Sequence, residues 1–217
     1  MDSLHIQAAN QLRKMLIEGQ FTSGAKLNER ELAMALNVSR TPLREAIKML
    51  AVEGLVELLP KRGAIVPLFK LEDVQHTFEV IAALEGQSGE LAAQRATDAE
   101  INEIRALHLE MSACHLRKDL FNYYRLNAQV HSAFNTAARN PVLTDVYKKI
   151  NARLQTLRFR SNLNEQKWAL ALQEHAQMVD ALAARDAAGL RQLMVMHLNN
   201  KRDTVLEQLA QRASDDS

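Results

Sequence analysis

A mainly α-helical chain in two parts is what the sequence predicts: an N-terminal winged helix-turn-helix followed by an all-helical antiparallel bundle. Three observations lead there. Leu and Ala are abundant while aromatics are only 5% of the 217 residues, which suits helices better than a large sheet. Turn-formers are uneven: Gly19, Gly24, Gly54 and Gly63 with Pro42, Pro60 and Pro67 crowd the first 70 residues, whereas the remaining 147 hold only Gly86, Gly89, Gly189 and Pro141. Charge divides at the same place, with 10 Lys+Arg against 7 Asp+Glu in residues 1–70 and 17 against 19 in the rest. The expected domains are therefore 1–69, a small basic module, and 70–213, a larger acidic one.

The first module begins with a helix that Ser3 can cap, running through residue 18 to a stop at Gly19, with Ile6, Ala9, Leu12 and Leu16 as its apolar stripe. Asn28 can cap a second, short helix, with Glu31 three residues on as in a capping box and Leu32, Ala35 and Leu36 facing inward. The turn Asn37-Val38-Ser39 leads to a third helix capped by Ser39 or Thr41, with Pro42 tolerated in its first turn and Gly54 at its end. Leu43, Ile47 and Leu50 lie on one side of that helix, and Arg40, Arg44 and Lys48, four apart, form a basic stripe on another. Thr41 sits beside the start of the stripe. A short helix, a tight turn and a second helix with basic residues at its start match a major-groove reader. Arg can bond guanine O6 and N7, and a threonine methyl can contact thymine. The competing account of such a stripe is a solvated charged face. Two apolar runs, Leu55–Leu59 and Ala64–Leu68, flank Pro60-Lys61-Arg62-Gly63 and read as a hairpin wing carrying two cations to a phosphate or the minor groove.

The second module reads as six helices near 72–95, 98–116, 118–138, 141–160, 164–184 and 187–211, with Asp98 and Pro141 as start signals. Leu126, Val130, Phe134 and Ala137 give the third a core stripe. Asn127 and His131 share one of its faces. His175 lies between apolar Leu172 and Val179 on the fifth helix, and His197 near Leu193, Met194 and Leu198 on the sixth. Three histidines on three apolar-lined helices can converge inside a bundle, where imidazole suits a divalent Zn or Ni ion; the competing account is three hydrogen-bonded core histidines. His5, His76, His108 and His115 read as surface or packing residues.

Several function classes are excluded or disfavoured. A net charge of +1 argues against a protein that coats nucleic acid or membrane non-specifically. The lone Cys114 permits no intramolecular disulfide and points to a reducing, cytoplasmic setting. MDSLHIQAAN lacks a basic region followed by an apolar run, so no signal peptide is expected, and no run of about 18 apolar residues predicts a membrane span. No His-Glu-x-x-His run, glycine-rich phosphate loop or nucleophile elbow occurs, so no catalytic residue is assigned and a metal-dependent hydrolase is disfavoured.

The run Val38-Ser39-Arg40-Thr41-Pro42-Leu43-Arg44-Glu45-Ala46, with Gly24-Ala25-Lys26-Leu27-Asn28-Glu29 and Leu32-Ala33 before it and Leu50, Glu53-Gly54-Leu55-Val56 and Arg62-Gly63 after it, resembles the GntR-type bacterial transcription regulators. The resemblance implies that Arg30, Arg40, Thr41 and Arg44 contact an operator, with Arg62 and Gly63 at the wing tip. The second module is similar to the all-helical FCD effector domain of the FadR subfamily, in its six-helix VanR-like branch. It is so through Ala83-Leu84-Glu85, Glu90-Leu91-Ala92-Ala93, Asn127 to His131, Asn140-Pro141, Glu174-His175, Ala181-Leu182, Asp186 and His197. That resemblance implies a homodimeric, ligand-responsive regulator, expected to act as a repressor, with a metal held by Asn127, His131, His175 and His197 and a small carboxylate effector nearby. Asn127 stands where many relatives have Asp, and Ile81 where many have an effector-binding arginine. Arg153 and Arg160, seven apart on one helix face, are the expected substitutes. In an alternative, the ion itself is the signal.

Overall fold

The computed structural model describes residues 3–17, 20–60, 62–68, 70–160 and 164–215, and their side chains except at 17, 152, 153, 155–160 and 212–215. The described residues form α1 (Leu4–Ile17), β1 (Lys26–Leu27), α2 (Glu29–Ala35), α3 (Arg40–Val52), β2 (Glu57–Leu59), β3 (Gly63–Ile65), α4 (Leu71–Arg95), α5 (Asp98–Leu116), α6 (Leu120–Ala137), α7 (Pro141–Arg160), α8 (Glu165–Ala183) and α9 (Ala187–Asp215). They fall into two compact units, 1–70 with 151–160, and 71–150 with 161–217. Among the described residues no helix is long and apolar enough to cross a membrane.

In the N-terminal unit α1 packs on α3. Ala8, Ala9, Leu12 and Leu16 are fully buried, as are Leu43, Ala46 and Leu50 opposite them; Ile6 is only half-buried. Arg13 closes a two-pronged pair on Glu53 (2.6 and 2.7 Å), which fixes the end of α3 against α1. The expected stop at Glu18 and Gly19 lies outside the described residues.

Asn28 caps α2 by accepting from the Arg30 and Glu31 amides while donating to Glu31 Oε1 (2.7 Å). Only Leu32 of α2 is buried; Ala35, expected to face inward, is exposed because the helix ends there. Asn37 then turns the chain at φ +50°, its amide bonding to the Met34 carbonyl and that of Val38 to Ala33, a Schellman close built on asparagine. Ser39 holds the N-cap position of α3 without a side-chain bond, and Gly54 closes α3 at φ +72° in the same motif. The wing strands β2 and β3 pair antiparallel, Leu58 opposite Ala64, and β1 adds to the other side of β3.

Among the described residues, α4 to α9 lie close to the bounds of the six expected helices. α5 starts at Asp98, as expected, and is capped by Thr97 through a reciprocal capping box with Glu100, and Asn140 accepts from the Leu143 amide ahead of α7. The core joins α4, α5, α6, α8 and α9 through Ala92, Ile104, Met111, Leu126, Val130, Phe134, Met178, Leu182, Leu190 and Met194. Three arginines close one end of the bundle. Arg95 donates to the Ala138 carbonyl (2.8 Å), Arg139 to that of Arg95, and Arg185 to that of Ala96 (2.8 Å), so carbonyls left over at helix ends meet cations.

Packing of α4 on α9 depends on two glycines. A Cβ on Gly86 would lie 2.7 Å from Val195 Cγ2, and one on Gly89 2.5 Å from Met194 Sδ. The methionine can swing aside; the β-branched valine cannot do so freely. Gly86→Ala is therefore expected to lower stability, because an overpacking cost of about 1–3 kcal/mol outweighs the roughly 1 kcal/mol that alanine gains in a helix. Urea unfolding checks this, and a variant more stable than the parent chain would contradict it.

Candidate metal centre and DNA-reading face

In the N-terminal unit the basic stripe is exposed. Arg40, Thr41, Arg44 and Lys48 of α3 are exposed while Leu43, Ile47 and Leu50 are buried, and Arg30 is exposed on α2. Arg44 Nε bonds Glu29 Oε2 (2.8 Å) and Lys48 pairs with Glu45 (2.8 Å), both at the surface, where such pairs contribute only about 0–1 kcal/mol. Arg30 and Arg40 make no ion pair among the described residues. At the wing, Arg62 and Gly63 are exposed, the turn closes through the Arg62 amide on the Leu59 carbonyl (3.1 Å), and Gly63 has φ +87°, which favours glycine. Lys61 lies outside the described residues.

In the helical unit, His131 of α6, His175 of α8 and His197 of α9 meet. Each is at most 4% exposed, and one potential ligand nitrogen from each lies within 4.8 Å of the others. The ring centroids are 4.8 to 5.5 Å apart. Asn127, 7% exposed, lies one turn before His131 on the same face of α6.

Two of the rings are held from behind. His131 Nδ1 donates to Glu85 Oε2 (2.5 Å) on α4, and His197 Nδ1 to Glu174 Oε2 (2.6 Å) on α8. With each carboxylate ionised and accepting, the ring donates from Nδ1, which in a neutral imidazole leaves the lone pair on Nε2. Glu174 is anchored further by Asn200 Nδ2 on Oε1 (2.5 Å). Burial pushes the Glu174 carboxyl above its usual range, against the Asn200 bond and the nearby Lys201 charge. His175 differs. Neither of its ring nitrogens has a hydrogen-bond partner, and burial, reinforced by His197, His131 and Lys201, holds it well below the ordinary imidazole value, so it is a neutral ring with a free lone pair. Buried polar atoms are nearly always satisfied. Unpartnered imidazole nitrogens beside two oriented rings are a donor set that fits a nitrogen-preferring divalent ion.

Residues 4–66 match the family model of the bacterial regulatory proteins of the gntR family, and residues 76–200 match that of the FCD domain. The chain belongs to the GntR family. It is a DNA-binding transcriptional regulator with an FCD effector domain, and the matched families are regulators rather than enzymes. It is 27% identical over 205 residues to the HTH-type transcriptional repressor RspR of Escherichia coli (strain K12), covering 94% of this chain and 89% of that one. It is 29% identical over 193 residues to the Nta operon transcriptional regulator of Aminobacter aminovorans, covering 89% and 90%. Among solved structures, McbR/YncC of E. coli superposes with a TM-score of 0.76 at 21% identity over 96% of this chain and 100% of that one, which shows the shared fold.

For this GntR-family chain, the sequence places His131, His175 and His197 on separate helices, and the structure brings the three together; Asn127 is buried one turn before His131 on α6. It leaves the side chains of Arg153 and Arg160 outside the described residues, and Ile81 fully buried. Glu85 and Glu174 were not singled out as site residues from spacing. A signal existed: Glu85 follows Ile81 by four and precedes Ala92 by seven on the buried stripe of α4, and an acid at a core position must find a partner. His115, expected as a surface or packing residue, stands edge-on to Trp168 at 4.7 Å.

Proposed function

We propose that this regulator is a repressor that binds operator DNA as a homodimer and releases it when a small organic acid enters the helical domain beside a divalent metal. The observation that carries the effector half is the unpartnered, neutral His175 ring facing two histidines whose lone pairs are fixed by buried glutamates. His131, His175, His197 and Asn127 would hold the ion, with Zn or Ni favoured by three imidazoles and an amide. When bound, the ion supplies a positive charge and open coordination positions for a carboxylate. The chain's own residues do the rest: Glu85 and Glu174 orient rings, and the burial of the three histidines keeps water from competing. An acid held there changes the relative stability of two arrangements of the protein only as far as it binds them differently.

The operator half is carried by the exposed cationic edge of α3. Arg40, Thr41 and Arg44 are proposed to read base edges, and Arg30, Lys48, Lys61, Arg62 and Gly63 to engage the backbone or minor groove. Two-fold pairing of such heads matches a near-palindromic site. The test is the affinity of full-length protein for an operator selected from random DNA. It is measured on metal-stripped and Zn-loaded protein, with and without a panel of small mono- and dicarboxylic acids. At least one acid is expected to weaken operator binding of the loaded protein only. Acids acting equally on stripped protein would contradict a metal-assisted effector site, and a switch by Zn alone would make the ion the signal.

A further inference from the structure

The three histidines and Asn127 offer a cation no negative charge, yet two carboxylates lie immediately behind them. Glu85 is 2% exposed and Glu174 4%, and each is hydrogen-bonded to the Nδ1 of a different histidine at 2.5 and 2.6 Å. Resting on the metal-centre reading above, we infer that Glu85 and Glu174 are positioning residues of that centre, and that they supply from outside the ligand set the charge that Asn127 leaves out.

The geometry supports both parts. Ring orientation comes first. With Nδ1 committed to a carboxylate, His131 and His197 are fixed in the tautomer that carries its lone pair on Nε2, before any ion arrives. The supports are themselves braced. Asn200 Nδ2 holds Glu174 Oε1 at 2.5 Å, and one turn beyond Glu85 the Asn135 amide donates to Ser88 Oγ at 2.9 Å, tying α4 to α6 where the Glu85–His131 pair crosses. Charge comes second. A carboxylate on the far nitrogen of an imidazole makes the near one a stronger donor, and at this burial its field is weakly screened. His175 has no such support, so it is the ring that the ion has to orient. The centre is thus two pre-set rings and one that completes it.

The test uses full-length, metal-stripped protein. Zn affinity is measured by competition with a chromophoric chelator for the parent chain, Glu85→Gln, Glu174→Gln and the double change Glu174→Gln with Asn127→Asp. Circular dichroism shows that each variant is folded. Each single Gln change is expected to weaken Zn binding about 10–100-fold. Asn127→Asp, measured alone as well, is expected to raise Zn affinity more in the Glu174→Gln background than in the parent chain, a coupling that a merely structural role for Glu174 does not predict. Long-range 1H–15N spectra of the stripped parent protein are expected to show His131 and His197 protonated on Nδ1. Zn affinities of both Gln variants within about twofold of the parent chain, or rings protonated on Nε2, would overturn the inference while leaving the metal centre standing. A parent chain that binds no Zn would overturn both.

Discussion

Arg40→Ala and Arg44→Ala are each expected to weaken operator binding by about 1–3 kcal/mol, roughly 10–100-fold, while leaving the fold intact. Both side chains are exposed while Leu43, Ile47 and Leu50 of the same helix are buried, so neither truncation opens the core. Arg40 has no ion-pair partner among the described residues. Arg44 has Glu29, but that pair is at the surface and worth about 0–1 kcal/mol, less than a base contact. Binding to DNA therefore costs Arg44 little when it leaves Glu29. Lys48→Ala, which loses a backbone contact instead, should flatten the salt dependence by about one unit. Glu45→Ala provides the control: it frees Lys48 from its pair and should leave binding unchanged or stronger. Unchanged footprints from both arginine variants would remove α3 from the DNA-reading role.

Much of this was legible in the sequence for physical reasons. The Arg40, Arg44 and Lys48 stripe follows from a spacing of four on a helix whose other side is apolar, and the helices of the second module follow from starts such as Pro141 and stripes such as Leu126, Val130 and Phe134. Helix ends were harder. Glycine is the usual stop, but α2, α5, α6 and α8 are followed by Asn37, Lys118, Arg139 and Arg185 with φ between +48° and +58°, which no local signal announces for Lys or Arg. At Arg139 and Arg185 the long side chain binds a carbonyl from a neighbouring helix end, so tertiary contacts offset the local strain. β1 was missed because two residues carry no period. Convergence of the three histidines was visible as a possibility; that Glu85 and Glu174 stand behind two of them depends on which helices become neighbours, which spacing within one helix does not reveal.

The second large effect concerns His175→Ala. In the metal-free protein the change removes a buried ring, which by itself costs a few kcal/mol in lost contacts. It also removes two unpartnered polar nitrogens, each carrying a burial penalty of about 1–3 kcal/mol, so the terms oppose one another and the stripped variant should melt close to the stripped parent chain. With Zn the two should separate. An ion at a hundred times its Kd adds about 2.7 kcal/mol to the stability of a protein that binds it only when folded. For a chain of this size that is about 5–10 °C in Tm. The parent chain should show this shift and His175→Ala should not. A Zn-dependent shift of equal size in both would place the ion elsewhere.

The most direct measurement is the metal content of protein purified without a histidine tag, by elemental mass spectrometry, for the parent chain and His175→Ala side by side. The expected result is about one divalent ion per chain in the parent protein and none in the variant. No ion in either, or an ion retained by the variant, would contradict a metal centre at His131, His175 and His197.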